Sequence, residues 1–125
     1  MENNTERDKF AKSIGAEVIE ASPERAVCKL EITEKHYNGL GLVNGGVLFT
    51  LGDYAMAVAA NANGSSTVTL NSNIDFIKSA KEGTLVATCV PIKTGKTISR
   101  YKVEIKLEET SQLIAVLSAT SFTLK

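Results

Sequence analysis

The sequence predicts an α+β domain in which an antiparallel sheet wraps around one long central helix. Two observations lead there. Residues 44–64, NGGVLFTLGDYAMAVAANANG, hold a long apolar run with a single carboxylate, Asp53, in its middle. A helix that is apolar on nearly every side must be buried on nearly every side. From Ser66 onward the pattern changes to a period of two, in successive runs separated by short turns. No βαβ alternation appears, which disfavours a doubly wound parallel sheet.

The chain has 125 residues and 43% hydrophobic residues, so residues 1–125 are read as one domain with a real core. Fourteen basic residues balance fourteen acidic ones, which argues against a general nucleic-acid binder. The polar start MENNTERDK is not a secretory signal, and no apolar run approaches the ~20 residues of a membrane helix. Cys28 and Cys89 lie far apart among apolar neighbours without a CxxC pair. They read as buried reduced thiols, with a structural disulfide as the lesser alternative. Together these features place the expected location in the cytoplasm.

Taken in order, Thr5 to Ser13 reads as a short helix capped by Asn4 or Thr5, with Phe10 and Ile14 pinning it to the body. IGAEVIEASPERAVCKLEI reads as a hairpin turning at Ser22-Pro23-Glu24-Arg25, with Ala26, Cys28, Leu30 and Ile32 on one face. Residues 34–46, rich in Gly and Asn, form a loop that turns tightly or approaches something closely. Asn44 or Gly45 opens the central helix, which runs to about Asn61 and stops at NANG.

TVTLNSNIDFIK places Val68, Leu70, Ile74 and Phe76 on one face of a strand, and Thr69, Asn71, Asn73 and Asp75 on the other. GTLVATCVPIK is apolar on both faces, and Pro91 marks a bulge or an edge. TISRYKVEIKLEE alternates cleanly, with Tyr101, Val103, Ile105 and Leu107 inward, and QLIAVLSATSFTLK is the last strand. Turns at Thr94-Gly95-Lys96 and near Thr110-Ser111 join these strands as hairpins.

Asp53 has two readings. It can occupy a narrow exposed stripe of its helix with Thr50, Ala57 and Asn61, or it can be a base or nucleophile in a low-dielectric cleft. Gly45 and Gly46 stand at a helix start, where unpaired N–H groups favour negative charge and a missing side chain leaves room for a ligand. A backbone N–H there suits an oxyanion, although two glycines can also merely ease the entry into the helix. His36, the single histidine, reads as an ordinary loop residue. GxSxG, HExxH, P-loop and GxGxxG motifs are absent, and no Cys/His cluster points to a metal.

The span HYNGLGLVNGGVLFTLGDYAMAVAAN resembles the signature of the hotdog-fold acyl-CoA thioesterases of the PaaI-like group: His-x-Asn, a Gly-rich loop, His-Gly-Gly, then an apolar helix with Leu-x-Asp. STVTLNSNIDFIKSAKEGTLVATCVPIKTGKT resembles the strands that follow in that family, so the similarity covers about residues 36–124. The resemblance implies a hotdog fold and hydrolysis of an acyl-CoA or similar thioester to a carboxylic acid and a thiol. It implies no cofactor beyond the coenzyme A of the substrate, and a homodimer or homotetramer with the site at the subunit interface.

Residue by residue, the resemblance makes Asp53 the catalytic carboxylate, as general base or nucleophile. The Gly45 N–H would hold the thioester oxygen, with Gly46 beside it at the substrate. Asn38 would bind the carbonyl or the attacking water. Thr69 would position water, reaching the site from the other subunit. Lys93, Lys96 and Arg100 would meet the coenzyme A phosphates. Asn44 stands where the family has its second histidine; it can donate a hydrogen bond and begin a helix, but it does not titrate near neutral pH.

Two rivals accompany this reading. A non-catalytic acyl-CoA binder would bind such esters without releasing thiol, and a structural dimerisation module would not bind them. The apolar helix itself argues for a partner, because one sheet is expected to cover only part of Val47, Leu48, Phe49, Leu51, Tyr54, Met56 and Val58.

Overall fold

The computed structural model describes residues 8–124. Helix α1 (Lys9–Ser13) is capped by Asp8, whose carboxylate accepts the Ala11 N–H at 3.0 Å. The expected caps, Asn4 and Thr5, lie outside the described residues. Phe10 does not pin α1 to the body: it is 66% exposed, while Ala11 packs into the core and Ile14 is partly buried against it.

Strands β1 (Glu17–Ala21) and β2 (Ala26–Glu31) form the expected hairpin, closed by reciprocal backbone bonds between Ser22 and Arg25. After the loop comes the central helix α2 (Gly45–Asn61). Then follow β3 (Ser66–Phe76), β4 (Thr84–Lys93), β5 (Ile98–Leu107) and β6 (Leu113–Leu124). All pairings are antiparallel, in the order β1-β2-β4-β5-β6-β3, so β1 and β3 are the edges. The chain leaves α2 for the far edge and then returns beside β2.

Every strand touches α2. Leu48, Leu51, Tyr54, Met56 and Val58 are buried against an inner sheet face that includes Leu85, Cys89, Val103, Ile105 and Leu117. Gly52 marks the closest approach, since a Cβ there would lie 3.0 Å from Leu117 Cδ1. Six strands reach round the helix further than the sequence suggested. The α2 positions left only partly covered or open are Gly45–Val47, Phe49, Thr50, Asp53 and Ala57. A broad uncovered apolar face on α2 is therefore not the argument for a partner.

Strand β3 corrects a second expectation. A bulge between Thr69 and Asn71 inserts Leu70 as an extra residue opposite β6. An extra residue reverses the side-chain parity beyond it. Thr67 and Thr69 consequently face α2, as do Ile74 and Phe76 further on, whereas Val68 and Leu70 are turned out and about half exposed. On β4, Pro91 sits at a bulge of an interior strand rather than on an edge. Cys28 and Cys89 are free and fully buried on the inner face of β2 and β4, where desolvation pushes both thiols up to about 12.

Candidate active site

Asp53 lies midway along α2, half-buried, facing the edge strand β3. Its Oδ1 accepts the Thr69 hydroxyl at 2.9 Å. Because the bulge at Leu70 follows Thr69, the hydroxyl keeps its inward direction. Thr69 therefore reaches Asp53 of its own chain, which corrects the expected delivery from another subunit. Burial raises the Asp53 carboxyl above its ordinary value, the Thr69 hydrogen bond lowers it, and the Asp8 carboxylate adds a further push upward. The net direction is up, because desolvation is the largest cause.

Thr69→Val removes the one donor that holds this value down. A base acts when ionised, so activity falls as pH drops through its pKa. The acid limb of the pH–rate profile is thus expected to move to higher pH in the variant, with turnover at neutral pH falling several-fold. An acid limb that stays put would show that the hydroxyl does not act on Asp53.

The start of α2 is built by Asn44. Its side-chain oxygen accepts the Gly46 N–H at 2.7 Å, and its carbonyl accepts the Val47 N–H at 2.9 Å. Its own N–H goes to the His36 carbonyl at 2.8 Å. The Gly45 N–H, at the first helical position, has no partner among the described residues. The ring of Phe76 lies across Gly45, so a Cβ there would come within 3.0 Å of Phe76 Cζ. Gly46 differs from expectation: its N–H is already engaged by the cap, so it offers space rather than a donor.

Asn38 organises the loop before the helix. Its Oδ1 accepts the Leu40 and Leu42 N–H groups at 2.9 and 3.1 Å, while the residue remains exposed. His36 is not an ordinary loop residue. It is 2% exposed, its Nδ1 accepts the Thr33 N–H at 2.9 Å, and its Nε2 lies 2.6 Å from the Ile14 carbonyl. With Nδ1 acting as acceptor, the proton sits on Nε2, which donates to Ile14. His36 thereby ties the end of α1 to the loop that holds Asn44.

The three basic residues lie away from Asp53. Lys93 and Arg100 are cross-strand partners, both exposed on the sheet face opposite α2, with Arg100 Nη1 donating to Thr120 Oγ1 at 2.6 Å. Lys96 is exposed in the β4–β5 turn. Two further polar groups escaped the reading of the sequence: Ser99 and Ser121 are buried on the inner face, beside Tyr101, which the alternation already placed inward. The available signal was a serine at an inward position of an otherwise apolar alternation. Among the described residues no group of three or more His, Cys, Asp or Glu could hold a metal ion, and no helix is long and apolar enough to cross a membrane.

The site thus offers a partly desolvated carboxylate and an unused N–H at a helix start. Eight residues of α2 separate them, about 12 Å along the axis.

Comparison with known proteins follows the same lines. The thioesterase superfamily model matches residues 40–114. The chain is 36% identical to the acyl-coenzyme A thioesterase PaaI of Escherichia coli, covering 80% of this chain and 72% of that protein. It is 34% identical to acyl-coenzyme A thioesterase 13 of Mus musculus, covering 78% and 72%. The solved structure of the E. coli PaaI protein superposes with a TM-score of 0.89 at 31% identity, over 96% of this chain and 87% of that one.

Proposed function

The chain belongs to the thioesterase superfamily, and from that premise we propose that it hydrolyses an acyl-CoA thioester with Asp53 as the catalytic carboxylate. The observation that carries this reading is the Asp53–Thr69 pair on a helix whose first N–H is unused. As general base, Asp53 takes a proton from water, and the hydroxide oxygen attacks the carbonyl carbon. The resulting oxyanion is held by a Gly45 N–H. The C–S bond then breaks, and the departing thiolate takes up a proton. As nucleophile, Asp53 would form an acyl anhydride with loss of the thiolate, and water would then cleave the anhydride. Burial raises the basicity of the carboxylate in either route.

The ~12 Å between Asp53 and Gly45 exceeds the reach of one carbonyl group, whose reacting atoms need contacts of about 3 Å. The reading therefore requires two copies, with Asp53 and Thr69 of one chain facing Gly45 of another. The exposed edge strand β3 supports it: Val68, Leu70, Phe76 and the adjoining Ile77 are each about half exposed. A homodimer is expected by light scattering at micromolar concentration. A tetramer is open through the outer sheet face, where Val90, Ile98 and Leu124 are exposed. A fully active monomer would defeat the shared site. In this assembly Asn38 would contribute its free amide near the carbonyl, and Lys93, Lys96 and Arg100 would supply positive charge for the coenzyme A phosphates.

The test is thiol release from short-chain, long-chain and aryl acyl-CoAs. Release from at least one class is expected. Ester binding without thiol release would instead support a non-catalytic binder that departs from the family at Asn44.

A further inference from the structure

The two donors proposed for the thioester carbonyl, the Asn38 amide and the Gly45 N–H, belong to one miniature hairpin. Tyr37 bridges Val43 across it, and the Asn38 N–H donates to the Leu42 carbonyl at 2.7 Å. The Asn38 side chain gathers the Leu40 and Leu42 N–H groups at the tip. The two feet are His36 and Asn44, joined by the Asn44 N–H, which donates to the His36 carbonyl at 2.8 Å. Asn44 caps α2, so Gly45 follows directly from one foot, and Asn38 lies two residues from the other. Whatever holds the His36 peptide therefore sets the place of both donors.

That peptide is held by its own ring. Nδ1 accepts the Thr33 N–H at 2.9 Å and closes the one-turn 3₁₀ helix Glu34–His36. Nε2 donates to the Ile14 carbonyl at 2.6 Å, across 22 residues of chain. One bond fixes the ring to its own turn, and the other fixes the turn to the end of α1. Neutral imidazole suits the task, because it carries an acceptor and a donor on separate edges of one rigid plane. Two further ties hold the arms of the hairpin rather than its feet: the Tyr37 hydroxyl donates to the Lys81 carbonyl, and the Val43 N–H to the Ala80 carbonyl. The ring is buried, so it acts on a substrate only through the backbone it holds.

We propose that His36 is a positioning residue for thioester hydrolysis: by holding Thr33 and Ile14 at once, its ring fixes the base of the hairpin and with it the Asn38 amide and the Gly45 N–H. The proposal rests on the thioesterase reading and adds to it a residue that never meets the substrate.

The test uses two variants. His36→Ala leaves an imidazole-sized space. His36→Gln keeps most of the volume and a donor for Ile14 but no acceptor for Thr33, and it serves if the alanine variant does not fold. The substrate is whichever of the short-chain, long-chain and aryl acyl-CoAs the wild-type protein cleaves. In each folded variant kcat is expected to fall by about 10- to 100-fold, the cost of donors displaced by ~1 Å. KM is expected to change far less, because these donors act on charge that develops in the transition state. Added imidazole should restore enzyme-dependent turnover to His36→Ala. By contrast 1-methylimidazole, which has no N–H to give Ile14, should not. Hydrogen exchange reads the hairpin without any hydrolysis, so it decides this proposal even where the thioesterase reading fails. Faster exchange is expected at the Asn44 and Leu42 amides, with the amides of β4 and β5 as protected as in the wild type. Unchanged kcat in a folded variant, equal rescue by the two imidazoles, or wild-type exchange at Asn44 would each overturn the proposal. So would protection lost throughout the sheet, which is what a merely structural residue produces.

Discussion

Asp53→Asn is expected to fold normally and to lose thioester hydrolysis by ~100-fold or more. The amide keeps the shape of the carboxylate, and its oxygen can still accept the Thr69 hydroxyl. What disappears is the ability to take a proton or to attack. The effect on stability has a definite sign. Desolvation makes the folded-state pKa of Asp53 higher than the unfolded value. The folded chain therefore binds this proton more tightly, and the associated stability is present at low pH. It is lost as pH rises from the ordinary carboxylate range through the raised value. At neutral pH the ionised Asp53 is a net cost, so Asp53→Asn should be at least as stable as the wild type there, with the difference shrinking in acid. Thermal melts across pH and a thiol-release assay check both halves. Wild-type turnover in a well-folded variant would remove Asp53 from the mechanism, and a variant less stable at neutral pH would contradict the direction of the shift.

Gly95→Ala is expected to destabilise the fold by about 2–4 kcal/mol, a magnitude reserved for mutations with a specific steric cause. A Cβ at this position would lie 2.2 Å from the Ile98 carbonyl oxygen, inside any tolerable contact. The obstacle is backbone, so no side chain can rotate away. The β4–β5 turn would have to open, and with it the bond from the Gly95 N–H to Ser99 Oγ at 3.0 Å. That bond holds the buried Ser99 hydroxyl on the inner face of the sheet. Urea unfolding measures the loss. A change within about 0.5 kcal/mol, the usual range of surface substitutions, would mean that the turn relaxes freely and that the close approach is unimportant.

Much of the fold was legible because its signals are local. Helix α2 shows as an apolar run with Asn44 as its cap and NANG beyond its end, and it spans Gly45–Asn61 as read. The first hairpin follows from Pro23 in its turn and the alternation of Ala26, Cys28 and Leu30. Strand β5 follows from a period of two, and β4 and β6 from apolar runs between turn residues. Asp53 and Gly45 stood out for the same local reason: a carboxylate in an apolar helix and a glycine at its start.

Other features were settled only by tertiary pairing. Val68, Leu70, Ile74 and Phe76 share one parity in the sequence, and the polar run Asn71-Ser72-Asn73 between them does not mark which residue β6 leaves unpaired. The bulge at Leu70 exists because of the register with β6, and it decides that Thr69 meets Asp53 of its own chain while Val68 and Leu70 face out. Likewise His36 is buried because Ile14 and Thr33, far from each other in the chain, converge on its two ring nitrogens. The row Thr69, Ser121, Ser99 joins three strands distant in sequence, and cross-strand neighbours are defined by register alone. Local periodicity specifies which residues share an element, but which of them touch across elements depends on pairing that no single segment encodes.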